Sequence, residues 1–92
     1  MIDFTADWCA ACKELDKNTY TDTKVIELSK KFNNIKVDLT KENKEISEKY
    51  KILGLPVVAF FDKSGNEKQS LRVTGFVKPE EFSKLMEQAL SN

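Results

Sequence analysis

The sequence predicts an α/β fold in which a mixed sheet is flanked by helices. Ile2, Phe4 and Ala6 alternate with Met1, Asp3 and Thr5, the two-residue period of a strand that holds one acid in an apolar setting. Val57-Val58-Ala59-Phe60-Phe61 is apolar on both faces, which marks a central strand with helices above and below it. Segments of helical spacing separate and follow these two runs.

In chain order, the residues from Ala10 to about Lys17 favour a helix that starts inside a pair of cysteines. Asp22-Thr23 can cap a second helical stretch, in which Val25, Leu28, Ser29 and Phe32 share a face. Ile35, Val37 and Leu39 alternate with Lys36 and Asp38, as in a half-buried strand. A short polar helix is expected from Glu42 to Lys51, with apolar contacts through Ile46, Tyr50 and Leu53. Leu55-Pro56 breaks that pattern before the central strand. Asp62-Lys63-Ser64-Gly65-Asn66 is turn chemistry, with Gly65 free to take a positive φ. The short loop makes the next strand, Gln69 to Thr74, the second arm of an antiparallel hairpin that Gly75 ends. Pro79 suits a first helical turn, Glu80 and Glu81 favour its positive end, and Phe82, Leu85, Met86, Ala89 and Leu90 form one stripe that stops at Ser91-Asn92. The expected order is β-α-α-β-α-β-β-α.

Composition narrows the function. The 92 residues allow one domain, spanning 1–92. Fifteen basic residues balance fifteen acidic ones, which argues against nucleic acid as the main partner. The longest apolar run, Val57 to Phe61, is far short of the roughly 20 residues of a membrane span, so no direct membrane insertion is expected. Without histidine there is no Ser-His or Cys-His couple, and the commonest transition-metal ligand is missing. Two cysteines are too few for a disulfide-stapled scaffold. The opening residues show neither a basic leader nor an apolar stretch, and a chain that starts inside a strand pattern is expected to be a piece of a longer protein.

The two cysteines stand three apart, in Cys9-Ala10-Ala11-Cys12, and three readings of that spacing are open. A structural zinc site needs four ligands, so carboxylates or a second chain would have to complete it. A purely structural disulfide would close too small a loop to constrain the unfolded chain much. A redox dithiol is the reading the neighbouring residues favour. Cys9 follows a strand and opens a helix, where unpaired N–H groups and the helix dipole stabilise a thiolate, the attacking species. Cys12, one turn inside, would be less exposed and would resolve the mixed disulfide.

Trp8 beside the nucleophile would exclude water from one side, or else serve as a core aromatic. Asp3 lies six residues before Cys9 in an apolar strand. Buried there, its carboxyl would hold a raised pKa and relay a proton to or from Cys12; otherwise it is a solvated acid near the chain end. Asp16 stands four residues after Cys12, on the same helical face, as a second acid near the thiols or as an ordinary exposed one. Leu55-Pro56 is either a plain helix stop or a cis peptide presenting the backbone of Leu55 to an extended substrate.

Asp3-Phe4-Thr5-Ala6-Asp7-Trp8-Cys9-x-x-Cys12, then Gly54-Leu55-Pro56 before a buried strand, then Gly75, resembles the thioredoxin superfamily. Asp7 to Glu14, the Thr19-Tyr20-Thr21-Asp22 stretch, Val37-Asp38-Leu39-Thr40, Leu53 to Pro56 and Arg72-Val73-Thr74-Gly75-Phe76 look more closely like the C-terminal periplasmic domain of the bacterial thiol:disulfide interchange proteins. The resemblance implies a thioredoxin-like fold lacking the usual N-terminal strand and helix, which leaves the strand at Ile35 to Leu39 as an open edge. It also implies a nucleophilic Cys9, a resolving Cys12, a buried acid at Asp3, a second acid at Asp16 where such domains carry Glu, and a cis-proline at Pro56.

By the same resemblance, Trp8, Leu55, Pro56 and Gly75 would meet the partner, and no cofactor or metal beyond the Cys9–Cys12 disulfide is implied. The implied activity is a protein-disulfide reductase, a monomer on the periplasmic side of the inner membrane and tethered through a longer protein. It would relay electrons from the transmembrane part to the N-terminal domain of that protein, in support of cytochrome c maturation. The alternatives are a free-standing thioredoxin-like reductase and a non-catalytic binding module of the same fold.

Overall fold

The computed structural model describes residues 1–91; Asn92, at the expected end of the last helical pattern, lies outside the described residues. The alternating first segment forms β1 (Ile2–Thr5), which buries Phe4 completely and Asp3 almost so. β2 (Ile35–Asp38) runs parallel on one side, placing Lys36 opposite Asp3. β3 (Val57–Ala59) runs antiparallel on the other side, placing Val58 opposite Asp3. β4 (Val73–Thr74) pairs antiparallel with β3, and the four-stranded sheet has the order β2-β1-β3-β4. This is the mixed sheet that the sequence predicts, with β2 as an edge strand whose Ile35, Lys36 and Asp38 are exposed.

Two cores follow from the two-residue period of the central strand. Val58 and Phe60 pack on one side with Leu15, Val25, Phe82 and Met86. Val57 and Ala59 pack on the other with Phe4 and Leu39, covered by Ile46 and Tyr50. The helices carry the local signals that start them. α1 (Ala10–Glu14) continues into a π-helical turn (Leu15–Thr19), closed by the Tyr20 N–H donating to the Leu15 carbonyl at 2.8 Å. α2 (Thr23–Ser29) is capped by Asp22, whose Oδ2 accepts from the N–H groups of Lys24 and Val25 at 3.1 and 3.2 Å. α3 (Lys44–Lys49) is capped by Asn43, and α4 (Pro79–Leu90) opens with Pro79 and two glutamates. Burying Phe82 and Met86 of α4 completely stabilises the fold by roughly 1.5–3 kcal/mol each.

The structure differs from the sequence reading in several elements. The expected strand from Gln69 to Thr74 is strand only at Val73–Thr74, while Gln69–Leu71 forms a 3₁₀ turn. In an extended segment Glu67 and Arg72 would stand about 16 Å apart on opposite faces. The turn brings them into a bidentate ion pair at 2.7 and 2.8 Å. Leu53, expected to pack with Ile46 and Tyr50, is fully exposed, and Leu90 of the α4 stripe is partly so. The first helix is not α-helical throughout: the π turn shifts each later position about 100° around the axis and turns Thr19 into the core, where its Oγ1 donates to the Val77 carbonyl at 2.6 Å.

Candidate active site at the cysteine pair

β1 delivers the chain to the start of α1 through a tight turn, in which the Cys9 N–H donates to the Ala6 carbonyl at 3.2 Å. Cys9 is the N-cap of α1, with extended backbone (φ −90°, ψ 105°), and its Sγ accepts the Cys12 N–H at 3.1 Å. The two cysteines are joined as a disulfide with 5.2 Å between their Cα atoms. A sulfur in this position sits at the positive end of the helix, with a donor already aimed at it. Among the described residues no three Cys, Asp or Glu side chains converge as a metal-ligand group.

Ala6, Ala11 and Leu55 pack around the pair. The contrast expected between an open Cys9 and a covered Cys12 is slight, since they are 5% and 3% exposed. Trp8 is 66% exposed, so it stands out in solvent instead of joining the core. The Leu55–Pro56 peptide is cis. The Pro56 carbonyl accepts the Gly75 N–H at 3.1 Å, and Gly75 holds φ +106°, a conformation that glycine adopts without strain. The structure therefore gathers Cys9, Cys12, Leu55, Pro56 and Gly75 in one place, with exposed Trp8, Leu53 and Phe76 beside them in sequence.

The acids form a second group. Asp3 is 8% exposed, and burial raises its pKa above the usual carboxylate value. The Lys36 ammonium and the Tyr20 hydroxyl oppose that rise, and the Asp16 charge adds to it. Asp16 lies in the π turn, half-exposed, and its carboxylate meets Lys36 Nζ at 3.2 Å. Lys36 and Tyr20 are the members of this group that sequence reading misses. The strand register that sets Lys36 opposite Asp3 appears only in the sheet, and Tyr20 lies between the two helical stretches with no local signal of a role.

The family model for thioredoxin-like domains matches residues 1–90. The chain belongs to the thioredoxin-like domain family. It is 41% identical over 93 residues to the thiol:disulfide interchange protein DsbD of a Haemophilus influenzae strain, a match covering 98% of this chain and 16% of that protein. It is 44% identical over 87 residues to DsbD of Colwellia psychrerythraea, covering 90% of this chain and 14% of the relative. The chain thus spans about a sixth of the length of such relatives.

Among solved structures it is similar to the Neisseria meningitidis DsbD C-terminal domain, with 28% identity in both cases and TM-scores of 0.83 for the reduced form and 0.84 for the oxidised form. Those matches cover 96% of this chain and 77% of the other. A thioredoxin from Thermus thermophilus matches at 25% identity and a TM-score of 0.78, covering 95% of this chain and 69% of that one. The Cys9–Cys12 pair is thus a disulfide at the head of a helix in a thioredoxin-like domain. Among the described residues no helix is long and apolar enough to cross a membrane.

Proposed function

We propose that this domain relays reducing equivalents through Cys9 and Cys12 to a partner protein's disulfide, as one module of a longer interchange protein. The observation that carries the reading is the Cys12 N–H aimed at Cys9 Sγ at the head of α1, in a family of thioredoxin-like domains. In the reduced pair that donor and the helix dipole stabilise a Cys9 thiolate. The thiolate attacks one sulfur of the partner disulfide, and the other sulfur leaves and takes up a proton. Cys12 then gives its proton to the Asp3 carboxylate and attacks Cys9 Sγ. The Cys9–partner bond breaks, the second partner sulfur leaves as a thiolate, and the Cys9–Cys12 disulfide forms. One dithiol and one disulfide are exchanged for one disulfide and one dithiol, with no cofactor beyond the pair.

Leu55, Pro56, Gly75 and the exposed Trp8 would form the surface that meets the partner backbone. The similarity to DsbD supports a finer assignment, in which electrons arrive from the transmembrane part of the same polypeptide and pass to its N-terminal domain. The domain would then act as a monomer on the periplasmic side of the inner membrane, supporting cytochrome c maturation. The test is trapping: Cys12→Ser should accumulate a mixed disulfide through Cys9, and Cys9→Ser should abolish exchange with the fold intact. Exchange that survives Cys9→Ser would overturn the mechanism. Partner binding that persists without any exchange in the wild type would favour the binding module. A gene with no membrane-spanning segments beside this domain would favour a free-standing reductase.

A further inference from the structure

The Tyr20 hydroxyl is buried and has no hydrogen-bond partner of good geometry. An unpaired buried hydroxyl keeps the desolvation penalty that a hydrogen bond would offset, so its position calls for a reason. The ring is fixed by an edge contact with Phe82, at 5.5 Å between centroids, and by the π turn that ends immediately before it. Tyr20 and Asp3 line one cavity of about 240 Å³ together with Lys36.

We infer that Tyr20 is a positioning residue for the proton relay: a small movement of the Asp3 side chain lets the Tyr20 hydroxyl donate to the ionised carboxylate and release it when the carboxyl is protonated. The inference rests on the reading of Asp3 as the base that takes the Cys12 proton. Tyr20 is suited to the part because burial and the neighbouring Asp3 push its own phenol well above its usual pKa, so it stays a donor throughout the working range. The other groups facing Asp3 are Lys36 from β2 and Asp16 from the π turn, which neutralise each other in part through their 3.2 Å ion pair. Met1 also lines the cavity, and its amino group donates to the Asn33 carbonyl at 2.9 Å. The residues that α2 contributes to the cavity, Val25, Ile26 and Ser29, carry no charge. The other uncharged donors of the lining are engaged elsewhere, Ser29 Oγ with the Ile26 carbonyl at 2.6 Å and Asn34 Nδ2 with the Ser29 carbonyl at 2.9 Å, and the Tyr20 hydroxyl is not.

Tyr20→Phe keeps the ring and its contact with Phe82 and removes only the hydroxyl. The Asp3 carboxyl carbon, followed by NMR across pH in wild type and variant, should show proton affinity raised roughly tenfold in the variant, the effect of one hydrogen bond to a charged group. The exchange rate should fall by a similar factor on the acidic side of its pH profile and recover on the alkaline side. A fluorinated tyrosine placed at position 20, a stronger donor of nearly the same shape, should move the Asp3 titration the opposite way. In an Asp3→Asn background, Tyr20→Phe should leave the rate profile unchanged. Superimposable Asp3 titrations in wild type and Tyr20→Phe would overturn the inference even if exchange remains intact. A shifted Asp3 titration with an unmoved rate profile would overturn the relay part of it. A wild-type domain that exchanges no disulfide would instead sink the functional reading beneath it.

Discussion

Replacing Arg72 by Ala should destabilise the domain by about 4 kcal/mol. The guanidinium donates to both Glu67 carboxylate oxygens, from Nε at 2.8 Å and Nη2 at 2.7 Å, and to the carbonyls of Tyr50 at 2.8 Å and Lys51 at 3.2 Å. The two side chains are only 18% and 11% exposed. Removing one partner of a buried pair costs about 3–5 kcal/mol because the other charge is left in a poor dielectric; partial exposure argues for about 3 here, and loss of the carbonyl bonds adds about 1. At about 4–8 °C per kcal/mol in a domain of this size, Tm should fall by roughly 16–32 °C.

Urea unfolding of the oxidised protein, followed by far-ultraviolet circular dichroism, measures the loss as a lower midpoint at unchanged slope. The double variant Glu67→Leu with Arg72→Met should recover much of it, since no lone charge stays buried. Exchange should slow as well, because Arg72 anchors the turn at Lys51, held at φ 55°, from which the chain runs to Leu55 and Pro56. A loss below about 1 kcal/mol would refute the reasoning, as that is the worth of a solvated surface pair.

Asp3→Asn should slow exchange near neutral pH by about tenfold to a hundredfold, at or below the usual range for a general base, and stopped-flow rates against pH would check it. The same substitution should flatten the pH dependence of stability. Burial raises the folded-state pKa of Asp3, so the native state binds more protons above the ordinary carboxylate value and wild-type stability falls as pH rises through that window. The Asn variant should lack this decline and be at least as stable as wild type at pH 7. Phe82→Ala should cost about 3–5 kcal/mol in urea titrations, since the ring is fully buried between Tyr20 and Phe60.

Much of this was legible in the residues. The alternation at Ile2 to Ala6 and the apolar run at Val57 each marked a strand, the second a central one, and the Asp22 cap and Pro79 in a first turn marked the starts of two helices. The spacing of Cys9 and Cys12 left three readings open, and it was the neighbouring residues, a strand before the pair and a helix opening at it, that favoured a redox dithiol. What stayed hidden depends on contacts between distant segments. The 3₁₀ turn at Gln69 exists for an ion pair whose partners carry no local signal. The π turn cannot be read from helix propensity, yet it sets the direction of Thr19 and Tyr20. Lys36 faces Asp3 only through the β1–β2 register, and Leu53 kept its apolar identity without a core to enter.

The most direct test of the central claim is the midpoint potential of the Cys9–Cys12 couple, read by alkylation and mass after equilibration in glutathione or dithiothreitol buffers. A reversible two-electron couple near or below about −230 mV is the predicted result and marks a reductant. A value near about −120 mV would mark an oxidant and contradict the assigned direction of electron flow, and no reversible couple at all would contradict the exchange centre itself.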